Sequence, residues 1–471
     1  MNPMAEHPAV SDLVHELGSR KVVSDPDQLP QYETDWLGRR FGHAACAVLP
    51  ETHDEVGLAV AVCRKHHMPI IPQGGNTGLV GGGIPFGTGV VLSLRNLRSH
   101  MEVDSSGGGI VADAGWTVRE AGEMLAAAGL ALPFDLASRD SATLGGVVAT
   151  NAGGLHVIRY GHVRRQLMGV QAVLPDGTTV DRLEGLRKDT AGYDLPSLLC
   201  GSEGTLGIIT GVRLSAVVPD KATVTAVIGC RSIGELAEII AQARLQHAVE
   251  ISAAELMREE GVALACELFG TARPFPDHSP FLLLLELGTD DEDRGIAALA
   301  GILEQVVPDA PVAVATDRAA ASSLWALRER HPEIVGRLGV PMKLDTAVPL
   351  SSYAKAMEGM EERIHAADAG AHVVLYGHAG DGSLHVNVAP SDPEHGSAIE
   401  EAVYRWIASF RGTISAEHGI GRDKREWLSL IRSSGEIGLF RRVKAAFDPD
   451  GILNPGVILP ETPATGEDRL A

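Results

Sequence analysis

The spacing of apolar positions along the first two hundred residues changes repeatedly, and each change predicts an element. Residues 5–20 read as a short leading helix. Over 53–66, Val56, Ala59, Val60 and Val62 recur at helical spacing. Residues 69–72 (Pro-Ile-Ile-Pro) then read as a short buried strand and 89–94 as another. A strand over 109–114 precedes a helix over 118–128. Residues 168–174 and 178–183 flank Pro175-Asp176-Gly177, a turn sequence that predicts a hairpin. A further strand is expected over 208–214. Between these elements lie three stretches built largely from Gly, Ala, Ser and Thr, at 74–83, 141–154 and 201–207.

A break in the pattern at 219–221 marks a boundary. Beyond it, strands over 223–229, 250–256 and 281–287 and a helix over 232–245 predict strand-helix-strand units. Residues 422–447 have helical character and stop at Asp448-Pro449-Asp450-Gly451, with Asn454-Pro455-Gly456 after it. Mixed elements with frequent turns predict an α+β fold and not a repeated βαβ series. The expected organisation is a helical lead (1–36), a first domain (37–219), a second α+β domain (220–415), a C-terminal helical segment (416–460) and a frayed polar tail (461–471).

A chain of 471 residues with 45% hydrophobic and only 4% aromatic side chains must pack its cores with Val, Leu, Ile and Ala. Its 54 glycines are clustered without a triplet period, which points to loops that approach a ligand closely. A formal charge of −21 argues against general nucleic-acid binding and requires local cations for any anionic substrate. The five cysteines are scattered and never form a C-x-x-C pair, as expected of thiols in a reducing cytosol. Residues 1–10 lack a basic region followed by an apolar one, and no apolar run approaches a membrane span. The expected location is cytoplasmic.

The first glycine stretch, Pro72-Gln73-Gly74-Gly75-Asn76-Thr77-Gly78-Leu79-Val80-Gly81-Gly82, follows a predicted strand. Successive glycines let backbone N–H groups converge on an anion such as a pyrophosphate. It is neither a P-loop nor a Rossmann fingerprint. Leu144-Gly145-Gly146-Val147-Val148-Ala149-Thr150-Asn151-Ala152-Gly153-Gly154 and Gly201-Ser202-Glu203-Gly204-Thr205-Leu206-Gly207 complete the set. In order and spacing the three resemble the flavin-binding domain of the vanillyl-alcohol oxidase/p-cresol methylhydroxylase (PCMH) family, and the C-terminal half resembles its D-2-hydroxyacid dehydrogenase branch. The resemblance covers roughly residues 35 to 458. It implies a two-subdomain PCMH-type FAD-binding domain, an α+β cap domain for substrate, and a C-terminal helical segment returning to the flavin. It also implies FAD contacts at Pro72, Gln73, Gly74, Gly75, Asn76, Thr77, Gly78, Leu79 and Gly82. Asp135, Ser141, Thr143, Gly146, Asn151, Gly154, Glu203, Gly207, Ile209 and Asn454 would contact the remainder of the cofactor. Asn76 stands where some relatives carry a flavin-tethering histidine, so FAD is expected to be non-covalent.

The second chemical signal is Gly377-His378-Ala379-Gly380-Asp381-Gly382-Ser383-Leu384-His385-Val386-Asn387, followed by Ser415-Ala416-Glu417-His418-Gly419. Leu384 to Val388 alternates, so His385 and Asn387 should share a strand face. Two imidazoles and a carboxylate are the ligand set of an open zinc-type site, and His418 beside them can handle a proton. The resemblance assigns His378, His385 and Glu417 to a divalent metal, zinc, and His418 to the proton acceptor. The metal would acidify the substrate hydroxyl and FAD would accept the hydride from C2. Arg328 and Lys343 match substrate-carboxylate positions, and Asn387 would line the pocket. Pro332 departs from relatives specific for dicarboxylates, which place a hydroxyl there. The expected substrate is a small anionic D-2-hydroxyacid, D-2-hydroxyglutarate first and D-lactate or glycolate second. The acceptor would be a quinone, an electron-transfer flavoprotein or a cytochrome, and the assembly a homodimer. A zinc hydrolase with purely structural glycine loops and a docking subunit of a redox complex are the rival classes.

Overall fold

A computed structural model describes residues 7–104, 106–186 and 188–460. The predicted frayed tail lies outside these residues, as does the start of the leading helix. The chain forms two compact units. The first holds the described residues up to Gly154, then His162–Val218 and the described residues from His418 onward; the second holds Leu155–Gly161 and Pro219–Glu417.

Two sheets build the first unit. In one, strands run in the order Val22–Val23, Cys46–Val48, Val90–Ser93, Ile70–Gln73, and the last three are parallel. The helix His53–Lys65 carries the chain from Cys46–Val48 past the position of Val90–Ser93 to Ile70–Gln73, a crossover of the kind that parallel strands require. Thr52 caps its first turn, accepting from Glu55 N, and Val56, Ala59, Val60 and Cys63 are buried on one stripe. It is a single local crossover, in keeping with the expected α+β fold without a repeated βαβ series. The other sheet is antiparallel, in the order Met101–Asp104, Gly109–Asp113, Ile208–Ser215, Leu167–Val173, Thr179–Arg182. Its core gathers Ile110, Val170, Val212 and Leu214 with Leu144, Val147 and Val148.

Part of the second glycine stretch is helical: Leu144–Thr150 forms two turns. Thr143 caps it, accepting from Gly146 N at 3.3 Å, and Asn151 ends it in the left-handed conformation at φ 50°. The C-terminal segment is interrupted, with a short helix Leu428–Ile431 and a longer one, Ser434–Phe447. Ser433 and Glu436 form a capping box between them.

The second unit is a seven-stranded antiparallel sheet. Its order is Val312–Val314, Ala222–Cys230, Phe281–Thr289, Glu250–Arg258, His372–His378, Ser383–Ala389, Met342–Ala347. Packed on one face, the helices Glu259–Phe269 and His331–Leu338 bury Ala265, Ile334 and Val335 against Val374 and Tyr376. Residues 155–161 join this unit through Arg159, which pairs with Asp220 at 2.5 Å and with Glu250 at 2.8 Å.

Candidate active site

The glycine stretches of the first unit converge. A Cβ on Gly75 would overlap the Ser141 carbonyl, and one on Gly74 would overlap Thr143 Oγ1, so the first loop and the capped helix touch through backbone. The third stretch closes on both. Glu203 N donates to Ala149 O at 2.8 Å, and Asn454 Nδ2 donates to Gly82 O at 2.9 Å and Glu203 O at 2.8 Å. Asn76 takes a positive φ of 54° and donates from Nδ2 to Thr34 O at 2.8 Å. Among the described residues, no acceptor takes the backbone N–H groups of Gly75, Asn76, Thr77, Gly78 or Leu79. Five successive amide donors without protein partners suit a diphosphate.

Other residues assigned to the cofactor stand differently. Asp135 accepts from Leu136 N at 2.8 Å and pairs with Arg139, while its carbonyl occupies the space where Gly154 would carry a side chain. Asn151 Oδ1 accepts from Arg164 N at 3.0 Å. Gly207 makes room for Leu199 and Leu174, and Ile209 is a core residue of the five-stranded sheet. Glu203 is half-buried, desolvation raises its carboxyl pKa, and it accepts from Ile420 N (2.8 Å) and Gly421 N (2.7 Å). This anchors the backbone just after His418 to the third stretch.

In the second unit, strand register assembles the histidines. Tyr376 stands opposite His385, Glu255 opposite His378, Asp345 opposite His385, and Lys343 opposite Asn387. Because side chains alternate, all seven share one face of the sheet. His378 Nε2 and His385 Nε2 lie 3.0 Å apart, and Glu417 Oε1 is 3.5 Å from His378 Nε2. One ligand atom from each of the three lies within 4.8 Å of the others. Two nitrogens about 2.0–2.1 Å from one tetrahedral zinc would stand about 3.3 Å apart, so the pair is near ligand geometry.

The opposite edges of the rings face carboxylates. Glu255 Oε1 lies 2.6 Å from His378 Nδ1, and Asp345 Oδ1 3.9 Å from His385 Nδ1. Asp345 Oδ2 also accepts from Ala416 N (3.1 Å) and Glu417 N (2.8 Å), which fixes the loop carrying Glu417. Burial alone would raise the Glu255 carboxyl, but His378 and Arg328 outweigh it and hold it down at about 2. Burial would lower His378, and Glu255 instead lifts it to about 9. The carboxylate behind His378 fixes which of its nitrogens points inward, as metal-binding imidazoles require, whereas Asp345 Oδ1 stands beyond hydrogen-bond distance of His385 Nδ1.

Arg328, on the helix Arg318–Glu329, is buried and donates from Nε to Glu255 Oε2 at 2.7 Å. Its guanidinium lies 4.4 Å from the Tyr376 ring centroid. Asn387 Nδ2 donates to the Tyr376 hydroxyl at 2.9 Å, and burial pushes that phenol up to about 12. Pro332 occupies the first turn of His331–Leu338 and offers no N–H. His331 before it is fully buried, and burial followed by the nearby Arg328 charge drives it down to about 3. Glu255 and Asp345 escaped the sequence reading. The signal for Glu255 was a carboxylate within the apolar run 253–257, since such charges are rarely buried unless paired; Asp345, on a strand that also carries Lys343 and Thr346, gave none.

Comparison with known proteins places this architecture. A model of FAD binding domains matches residues 44–182, and one of FAD linked oxidases, C-terminal domain, matches residues 219–458. The structure of p-cresol methylhydroxylase with substrate bound superposes with a TM-score of 0.75 at 15% identity, covering 96% of each chain. Fold and domain content thus define an FAD-binding oxidoreductase with a PCMH-type fold. D-2-hydroxyglutarate dehydrogenase of Rattus norvegicus, a mitochondrial protein, is 36% identical over 445 residues, spanning 93% of this chain and 83% of its own. A putative D-lactate dehydrogenase of Schizosaccharomyces pombe, also mitochondrial, is 35% identical over 450 residues, spanning 92% and 85%. The chain belongs to the FAD-linked oxidase family, in its D-2-hydroxyacid dehydrogenase branch.

Proposed function

We propose that the protein oxidises D-2-hydroxyglutarate, or a close D-2-hydroxyacid, to the 2-oxoacid with non-covalent FAD and a divalent metal, zinc. The observation that supports this most is the facing of His378 and His385 through Nε2, with a buried carboxylate at the far edge of each ring and Glu417 beside them. FAD, when bound, accepts the two electrons. The metal, when bound, acts as a Lewis acid toward the substrate's hydroxyl and carboxylate. The chain's own residues do the rest. The amides of Gly75 to Leu79 hold the diphosphate, and Asn76, engaged with Thr34, supplies no tethering nucleophile. His418 takes the hydroxyl proton as a neutral imidazole.

Arg328, Lys343 and Asn387 bind the acid. Arg328 spends Nε on Glu255 and keeps both η nitrogens for a carboxylate. Replacing it with methionine should raise KM by about 10–100-fold, the value of a lost charge-assisted hydrogen bond, with FAD and metal retained. An unchanged KM would remove Arg328 from the substrate site. Pro332 favours a second reading, a shorter acid such as D-lactate, because it withdraws a donor from the region that would meet a distal carboxylate.

The five free cysteines support a reducing compartment, which suits the cytoplasm and the mitochondrial matrix alike. No described helix is long and apolar enough to cross a membrane. A quinone, electron-transfer flavoprotein or cytochrome would reoxidise the flavin, and the protein would act as a homodimer.

The test is anaerobic titration of the yellow protein with D-2-hydroxyglutarate, D-lactate, D-malate and glycolate, with and without chelator. Bleaching by D-2-hydroxyglutarate at the lowest concentration, abolished by chelator, is expected. Bleaching by D-lactate alone would select the second reading, and bleaching unaffected by removal of the metal would overturn the metal's role.

A further inference from the structure

The geometry points to Glu255 as a positioning residue that locks the metal site and the substrate-binding arginine into one unit. This rests on the proposed metal and substrate roles of His378 and Arg328. Glu255 lies on Glu250–Arg258, within the run Ala253-Ala254-Glu255-Leu256-Met257, and is fully buried. Its two oxygens have separate tasks: Oε1 faces His378 Nδ1 at 2.6 Å, and Oε2 accepts from Arg328 Nε at 2.7 Å. Strand pairing sets Glu255 directly opposite His378, so its carboxylate is placed by backbone register.

The chemistry of that placement is specific. A carboxylate only accepts, so it requires His378 to carry its proton on Nδ1 and leaves Nε2 as the lone pair facing His385. The same group orients Arg328, whose charge compensates it. A glutamine at this position offers one acceptor and one donor. If its oxygen stays with Arg328, its NH2 meets His378 Nδ1, and the favourable tautomer becomes Nδ1 as acceptor with the proton on Nε2. That proton sits where the metal must bind.

The experiment measures zinc affinity of the FAD-loaded protein by competition with a chromophoric chelator, together with KM and kcat. E255Q should lose affinity by about 10–100-fold with FAD content unchanged. R328M alone should hold zinc within about threefold of the parent. The double variant E255L/R328M removes both buried charges together, which protects folding, and should bind zinc as weakly as E255Q, because residue 255 then offers His378 Nδ1 no acceptor. A further readout is the coupling on KM. R328M raises KM in the parent, but should add little in E255L, where residue 255 offers Arg328 no acceptor and no longer holds it. A folded, yellow double variant with parental zinc affinity would overturn the inference, as would fully additive KM effects. A parent protein that binds no zinc would instead remove the metal reading on which it stands.

Discussion

Replacing His385 with alanine should strip the metal from the protein and abolish oxidation of the acid while the protein stays yellow. His385 lies on Ser383–Ala389 in the second unit, whereas the amide donors of the first glycine stretch and the capped helix belong to the first unit. The change therefore leaves the FAD cradle untouched. It removes one of the three proposed ligands and leaves His378 and Glu417, which stand 3.5 Å apart, to hold the ion alone. A loss in affinity exceeding the ~10–100-fold typical of an outer-shell partner is the minimum expected. Metal analysis of the purified variant, with FAD absorbance as control, reads both effects. A metal-replete, active H385A would overturn the ligand assignment.

The same site carries a pH signature. Beside Glu255, metal-free His378 keeps a proton up to about pH 9. Metal must displace that proton, so affinity should rise about tenfold per pH unit from neutrality toward 9 and level off above it. Falling pH favours the protonated, metal-free state, and this is the direction in which activity should fail.

How much of this was legible in the sequence follows from the range of each interaction. Helix 53–66 announced itself because its apolar stripe is local. The boundary near Pro219 was visible as a break in pattern, and the second unit resumes there. The histidine pair was legible because seven residues separate its members within one hairpin. Glu255 was not, because its meaning depends on a strand partner 123 residues away. Asp345 is likewise defined by register and by backbone donors 71 and 72 residues further on. Residues 155–161 join the second unit only through contacts such as Arg159 with Asp220 and Glu250, which no local pattern encodes. The short parallel strand Cys46–Val48 has too few positions to show a period. The helix Leu144–Thr150 was hidden by its own glycines, which are there for close packing. A Cβ on Gly145 would stand 2.5 Å from Ala114 Cβ.

Replacing His418 with alanine should give the opposite separation to H385A: metal and FAD both retained, flavin reduction by the acid slowed by about 10²–10⁴-fold. The backbone around His418 is held independently of its side chain. Before it, Asp345 accepts from Ala416 N and Glu417 N; after it, Glu203 accepts from Ile420 N and Gly421 N. Two carboxylates thus fix the chain on either side of one imidazole, and deleting the ring should disturb neither Glu417 nor the third glycine stretch. The loss should fall on the rate of reduction at saturating acid, with binding of the acid nearly unchanged, because carboxylate recognition is assigned to Arg328, Lys343 and Asn387. Anaerobic stopped-flow at saturating substrate reads that rate directly, and exogenous imidazole should restore part of it. A metal-loaded H418A protein that reduces its flavin at the parental rate would show that the proton leaves by another route, and Glu417 or solvent would then have to be the acceptor.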